Sequence, residues 1–174
     1  MLGRGAVIFA SVGSMLPFER MVRWVDQWAG ANPEAPVFIQ IGETAYEPRH
    51  ARFARILPLT EFRERLRACD LFVAHAGMGS ILQALEERKQ MLVLPRHRDR
   101  GEHTTDHQID SAERFAQRPG LRVVDTIEDL HREMTGLLAN PLVIDAAIAD
   151  RASPELLAGV RSFLDGPRPS PAGA

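Results

Sequence analysis

The residues best suited to chemistry are concentrated in the middle of the chain. An apolar run, Leu71-Phe72-Val73-Ala74, leads into His75-Ala76-Gly77-Met78-Gly79-Ser80, and a helical pattern, Ile81-Leu82-Gln83-Ala84-Leu85, follows. A strand that breaks at glycines and restarts as a helix leaves free backbone N–H groups, and the positive end of a helix dipole, directed at one spot. Such a spot suits a phosphate. Glycine at positions 77 and 79 lets the backbone approach a diphosphate closely, and Ser80 can cap the helix or donate its hydroxyl. A tight structural turn is the alternative. His75, at the strand end, is open between a satisfied structural histidine and a donor to a phosphate oxygen.

A second strand, Met91-Leu92-Val93-Leu94-Pro95, precedes a loop dense in cations and imidazoles, running from Arg96 to Gln108. Arg96, Arg98 and Arg100 could neutralise phosphate or a ligand carboxylate through charge-assisted hydrogen bonds, or be ordinary surface charges. His103 and His107 stand one helical turn apart, as zinc ligands can. The HExxH pattern is absent, however, and the neighbouring arginines would repel a dication, so no metal site is expected. Asp106, His107 and Gln108 open a predicted helix and could hydrogen-bond sugar hydroxyls, or form a solvated helix start. No Asp-x-Asp motif occurs to hold a divalent ion against a diphosphate. A sugar-nucleotide enzyme of this kind would stabilise its leaving group with helix dipoles and side chains. Neither a Gly-x-Ser-x-Gly elbow nor a lysine-bearing P-loop is found, which argues against an ordinary hydrolase or NTPase.

These residues need a scaffold, and the periodicity supplies one. The continuous apolar run from Ala6 to Val12 is expected for a strand buried on both faces of a parallel sheet. Gly13-Ser14 ends it, and Pro17 marks the helix start. Phe18, Met21, Val22, Val25 and Ala29 then form one helical face, with Trp24 and Trp28 at its edge, either packed on the sheet or offered to another protein. A second strand is predicted from Val37 to Gly42, a short one at Arg55-Ile56-Leu57, and a helix capped by Thr60. Further on, a helix spans Asp106 to Gln117, a strand spans Leu121 to Val124, and Thr126 with Asp129 starts another helix. A last amphipathic helix is predicted from Pro154 to Leu164. Strands alternating with helices predict a single Rossmann-like α/β domain over residues 1–165, a doubly wound, mostly parallel sheet, with a disordered tail over 166–174. Ligands of such sheets bind beyond the carboxyl ends of the strands, where Gly13-Ser14, Gly77 to Ser80 and the loop after Pro95 would meet.

Composition agrees with one globular domain: 174 residues, 45% hydrophobic and 25% charged. The formal net charge of −2 argues against general nucleic-acid binding. Cys69 is the only cysteine, so no internal disulfide is expected, and its predicted role is a small buried apolar residue. The chain opens without a signal-peptide pattern, and no apolar stretch approaches the roughly 20 residues that span a bilayer. The expected compartment is the cytosol, with any membrane role exercised through a partner.

Together, Val12-Gly13-Ser14 with Phe18, the Asp70 to Leu85 segment, Val93-Leu94-Pro95, Gly101-Glu102-His103 and Asp106-His107-Gln108 resemble the carboxy-terminal, nucleotide-sugar-binding half of GT-B glycosyltransferases of family 28. The resemblance runs from about Val7 to Leu138. It is strongest to the short, one-domain branch, which includes donor-binding subunits of two-part lipid-linked N-acetylglucosaminyltransferases and exopolysaccharide glucuronosyltransferases. The resemblance implies a UDP-sugar substrate, no cofactor, metal-independent transfer with inversion, and a lipid-linked saccharide acceptor. It also implies a membrane-anchored partner subunit that binds the acceptor and carries the general base, placing this chain at the cytoplasmic face of the membrane. By position, Gly13, Ser14, His75, Gly77, Gly79 and Ser80 should surround the diphosphate. Asp106, His107 and Gln108 should face the sugar, with Gln83 and Arg98 further donor-binding candidates and His75, His103 and Asp106 the catalytic candidates. Arg98 and Arg100 would suit a uronate carboxylate. In one respect the sequence departs from the pattern: many relatives carry a ribose-binding glutamate where Gln83 stands. A non-catalytic UDP-sugar-binding or regulatory module is the competing expectation. An epimerase of related fold would need both domains in one chain.

Overall fold

The computed structural model describes residues 6–142 and 144. The predicted helix from Pro154 to Leu164 and the predicted tail over 166–174 lie outside the described residues.

The apolar runs become strands. β1 (Ile8–Ser11), β2 (Val37–Gln40), β4 (Leu71–His75) and β5 (Met91–Leu94) form the interior of a six-stranded sheet, with β3 (Arg52–Ala54) and β6 (Leu121–Val123) at its edges. The order is β3-β2-β1-β4-β5-β6, and every pairing is parallel. Parallel neighbours require crossovers, which the amphipathic segments supply as α1 (Glu19–Ala31), α2 (Leu59–Ala68), α3 (Met78–Glu86), α4 (His107–Phe115) and α5 (Ile127–Ala139). Interior strands covered on both faces bury successive side chains in two separate cores, hence their unbroken apolar sequence. Ile8, Ala10 and Val73 pack with Met21 and Val25 of α1 and with Leu130 and Met134 of α5. On the other face, Phe9, Phe72 and Ala74 meet Phe62 and Leu66 of α2, Ile81 and Ala84 of α3, and Ala112 of α4. The architecture is the doubly wound α/β sheet expected from the sequence.

Strand order reverses between β1 and β4. The chains leaving their carboxyl ends therefore diverge, one toward α1 and one toward α3, and a crevice opens between them. Ser11 is in register with both Gln40 and Ala74, so these residues, with His75, form the rim of that crevice.

Trp28 is buried, its indole N–H donating to Thr135 Oγ1 of α5 at 3.1 Å, and Trp24 packs partly against the same core. Both therefore serve the domain's own packing. Cys69 is buried and apolar in role, its Sγ–H directed at the Leu66 carbonyl, with burial pushing the thiol pKa up to about 12. Thr126 caps α5 by accepting from the Asp129 N–H at 3.1 Å. Thr60 does not cap α2. That helix starts two residues earlier, because Pro58 sits at the N-cap with φ −54° and its carbonyl accepts the Phe62 N–H.

The third strand lies at Arg52–Ala54 rather than at Arg55-Ile56-Leu57. The cause is Asp26, a fully buried carboxylate on the inner face of α1. It accepts the Tyr46 hydroxyl at 2.6 Å and the N–H groups of Arg49, His50 and Ala51 at 2.9, 2.8 and 2.8 Å. Burial pushes this carboxyl up, but the Arg49 N–H, the Tyr46 hydroxyl and the other two N–H groups outweigh it and hold the pKa below the ordinary carboxylate range. The chain is thus anchored through Ala51, and pairing with β2 begins at once. The Leu57 N–H leaves the ladder for Gln40 Oε1 at 3.0 Å.

Candidate functional site

A cavity of about 760 Å³ occupies the crevice at the carboxyl ends of the strands. Its size is that of a site for a nucleotide-sized ligand. One end is apolar, formed by Ile56, Leu57, Leu59 and Phe62 where β3 runs into α2. The other end is polar. Ser11 ends β1 and Gly13 and Ser14 follow it, His75 ends β4 and Gly79 and Ser80 open α3, Arg96, His103 and Thr104 come from the loop between β5 and α4, and Gln108 from the start of α4.

His75 forms the floor between two glycines. Gly13 has φ +83°, and a side chain there would bring Cβ to 2.7 Å from the His75 ring. A Cβ on Gly77 would lie 2.1 Å from His75 Nε2. Both positions are therefore fixed as glycine by the imidazole itself. His75 Nδ1 is buried without a hydrogen-bond partner among the described residues. Burial first, then the Arg96 guanidinium and His103, lower the His75 pKa to about 4, against the opposing pull of the Ser11 main chain, so the ring is neutral at pH 7. Gly79 differs from the other two. A Cβ there meets nothing within 4 Å, and the N-terminus of α3 has no side-chain cap. Its first N–H groups are left for solvent or a ligand.

The polar wall is held by long-range bonds. Gln40 donates to Ser11 Oγ and to the Gly13 carbonyl, both at 3.2 Å, tying the end of β2 to the turn after β1. Glu102 receives Arg20 Nε and Nη2 at 2.6 and 2.8 Å, and the His97 N–H at 3.0 Å. Asp125 accepts from Arg20 Nη1 at 3.0 Å and lies 2.8 Å from His97 Nε2. This network pins the β5–α4 loop against α1 and the start of α5, and so sets His103 against the cavity. There His103 Nδ1 accepts the Thr105 N–H at 3.1 Å, which in the neutral ring leaves the proton on Nε2 as a donor.

Of the residues singled out from sequence, Gly13, Ser14, His75, Gly79, Ser80, Gln83, His103 and Gln108 line the cavity. Gly77 lies against the His75 ring and is not among the lining residues. Arg98, Asp106 and His107 are not among the lining residues. Asp106 Oδ1 accepts the Arg98 N–H at 3.0 Å, and both Asp106 and His107 are exposed at the start of α4. Gln108 is the member of that corner that turns inward, its Oε1 accepting the Arg96 N–H at 3.2 Å. Arg100 lies 3.6 Å from Asp125 Oδ2. Arg96 is the only lysine or arginine among the lining residues. Gln40, Ser11 and the apolar wall escaped the sequence reading. A glutamine closing an otherwise apolar strand was the available signal for the first.

Residues 7–157 match the family model for the Glycosyltransferase family 28 C-terminal domain. No curated protein matches the sequence significantly. Among solved structures, the chain is similar to the glycotransferase of kitacinnamycin, at 23% identity and a TM-score of 0.59, over 80% of this chain and 36% of that one. It is also similar to Acinetobacter baumannii MurG, at 17% identity and a TM-score of 0.55, over 78% of this chain and 42% of that one. A third similarity is to ALG13, at 16% identity and a TM-score of 0.56, over 80% of this chain and 88% of that one. The chain therefore spans well under half the length of the first two and matches most of the third.

Proposed function

The chain belongs to glycosyltransferase family 28, whose C-terminal domain it carries, and from that premise we propose that it binds the UDP-sugar donor of an inverting, metal-independent glycosyltransferase. The observation that carries this reading is the uncapped start of α3, with open space above Gly79, at one end of a cavity whose other end is apolar. The uracil and ribose lie along Ile56, Leu57 and Leu59, with Gln83 hydrogen-bonding the ribose. The diphosphate lies over Ser14, Gly79 and Ser80, and the sugar extends toward His103 and Gln108.

Charge develops on the diphosphate as the glycosidic bond breaks. Preorganised donors, namely the α3 N–H groups, the Ser14 and Ser80 hydroxyls and His103 Nε2–H, stabilise it without a metal ion or cofactor. His75, neutral at pH 7, shapes the floor beneath the leaving group and contributes its ring dipole. The acceptor is a lipid-linked saccharide of exopolysaccharide type, held by a membrane-anchored partner subunit. That subunit's general base deprotonates the attacking hydroxyl on the face opposite UDP. An exposed apolar rim supports a covering partner: Met15, Ile56 and Leu59 border the cavity and are 86%, 55% and 58% exposed. Met78 and Leu82, one turn apart on α3, are exposed as well. Attachment to the cytoplasmic face, in this reading, runs through the partner; among the described residues no helix is long and apolar enough to cross a membrane.

Calorimetric titration with UDP-glucose, UDP-N-acetylglucosamine and UDP-glucuronate, followed by transfer assays with and without the partner, tests this. Donor binding with transfer only in the reconstituted pair is the expected result. Donor binding with no transfer by any pair would favour the non-catalytic module, and strong transfer by the chain alone would remove the partner requirement.

A further inference from the structure

Arg96 is 2% exposed, although it opens a loop whose other arginines reach solvent. Its Nη2 donates to the carbonyls of Val12 and Leu16 at 2.8 and 2.7 Å, and its Nη1 to those of Pro17 and Glu102 at 2.5 and 3.3 Å. Four of the five N–H donors of a guanidinium are thus given to main-chain carbonyls and none to a carboxylate. The Phe18 ring lies beneath, 4.6 Å from Cζ. The carboxylate that acts on Arg96 from nearby, Glu102, is already held by Arg20 and the His97 N–H. Burial lowers the Arg96 pKa to about 10, so it stays charged at pH 7.

Three of those four carbonyls belong to the turn between β1 and α1. The N–H groups of the same turn have a different fate. Gly13 N–H donates to Ser11 Oγ, Phe18 N–H donates to Thr44 Oγ1, and Pro17 has none. The N–H groups of Ser14, Met15 and Leu16 have no acceptor among the described residues. All three residues line the cavity. A turn with four of its carbonyls engaged, those of Val12, Gly13, Leu16 and Pro17, and with three of its N–H groups unpaired among the described residues can cradle an anion.

Resting on the reading of this cavity as a UDP-sugar site, we propose that Arg96 is a positioning residue for the donor diphosphate. It holds the Val12, Leu16 and Pro17 carbonyls of the β1–α1 turn away from the ligand, so that the Ser14, Met15 and Leu16 N–H groups stay available to phosphate oxygens. Its desolvated charge lies behind them. Lysine is no substitute, because a single ammonium with three donors does not reproduce the planar fork that engages four carbonyls.

The test is calorimetric titration of wild type, Arg96→Lys and Arg96→Gln with UDP and with uridine, which lacks the phosphates. Both variants should lose about 30-fold or more in UDP affinity, while uridine affinity stays within about threefold. Equal losses for UDP and uridine, or UDP affinity retained by either variant, would overturn the proposal. A wild type that binds neither ligand would overturn the donor-site reading and this proposal with it, an outcome distinct from the other two. Should the variants fail to fold, amide NMR of the wild type decides. UDP and inorganic pyrophosphate should shift the Ser14, Met15 and Leu16 amide protons and uridine should not; amides unmoved with UDP bound would overturn the proposal.

Discussion

Asp26 and Arg96 are both fully buried charges held by main-chain groups from distant segments, and they differ in which half of the peptide they take. Asp26 consumes N–H groups, those of Arg49, His50 and Ala51. The loop it anchors has those donors spent, and it serves to start β3. Arg96 consumes carbonyls, those of Val12, Leu16, Pro17 and Glu102. The turn it anchors lines a cavity and keeps N–H groups without an acceptor among the described residues. In both places a buried charge organises a loop that has no regular ladder of its own. The sign of the charge decides whether what remains is scaffold or anion site.

Removing the Asp26 carboxylate should be the most costly change. Asp26→Ala leaves three main-chain N–H groups and the Tyr46 hydroxyl without their acceptor, and should cost on the order of 4 kcal/mol in urea denaturation. The UDP affinity of the folded variant should stay within roughly twofold of wild type, since the lost contacts lie in the scaffold loop. A large loss of affinity would mean that Asp26, too, shapes the site.

The two regions also separate by pH. His75, faced by Arg96 and His103 and by the opposing Ser11 main chain, has a folded pKa of about 4 against an unfolded value near 6.5. The unfolded chain therefore takes up this proton first as pH falls. The stability tied to the neutral ring is complete above about 6.5, declines between 6.5 and 4, and amounts to roughly 3 kcal/mol at most. Asp26, with its folded pKa below the ordinary value of 3.8, keeps its contribution down to that pH and loses it only below. Urea midpoints should fall from pH 7 to pH 4 in wild type and fall less in His75→Asn. Identical slopes would show that His75 is not the buried group responsible.

The smallest effects come from two neighbouring glycines. Gly77→Ala forces Cβ onto His75 Nε2 and should cost about 2 kcal/mol together with UDP binding. Gly79→Ala meets no protein atom and exchanges glycine for a better helix former, so stability should hold or rise by up to about 1 kcal/mol. UDP affinity should nevertheless fall about tenfold if the diphosphate lies there. Unchanged affinity in Gly79→Ala would move the diphosphate away from α3.

Much of this arrangement was legible beforehand where the signal is local. The apolar runs of β1, β2, β4 and β5, the glycine turn before α3 and the Thr126 cap of α5 all depend on residues a few positions apart. The expectation failed at β3, because a carboxylate in α1 selects where that strand begins. It was silent on Gln40, whose amide joins Ser11, Gly13 and Leu57 across three segments. The corner from Asp106 to Gln108 was read as one unit, whereas the start of α4 turns only Gln108 inward.

By itself the sequence determined the parallel sheet, the position of its glycine turn and the family whose pattern it carries, because hydrophobic period and turn chemistry act over a few residues. It did not distinguish Arg96 from Arg98 and Arg100, three like charges in one loop. Tertiary structure made that choice, because the turn carbonyls that receive Arg96 lie 79 to 84 residues away in the chain and meet it only when β1 and β5 join one sheet.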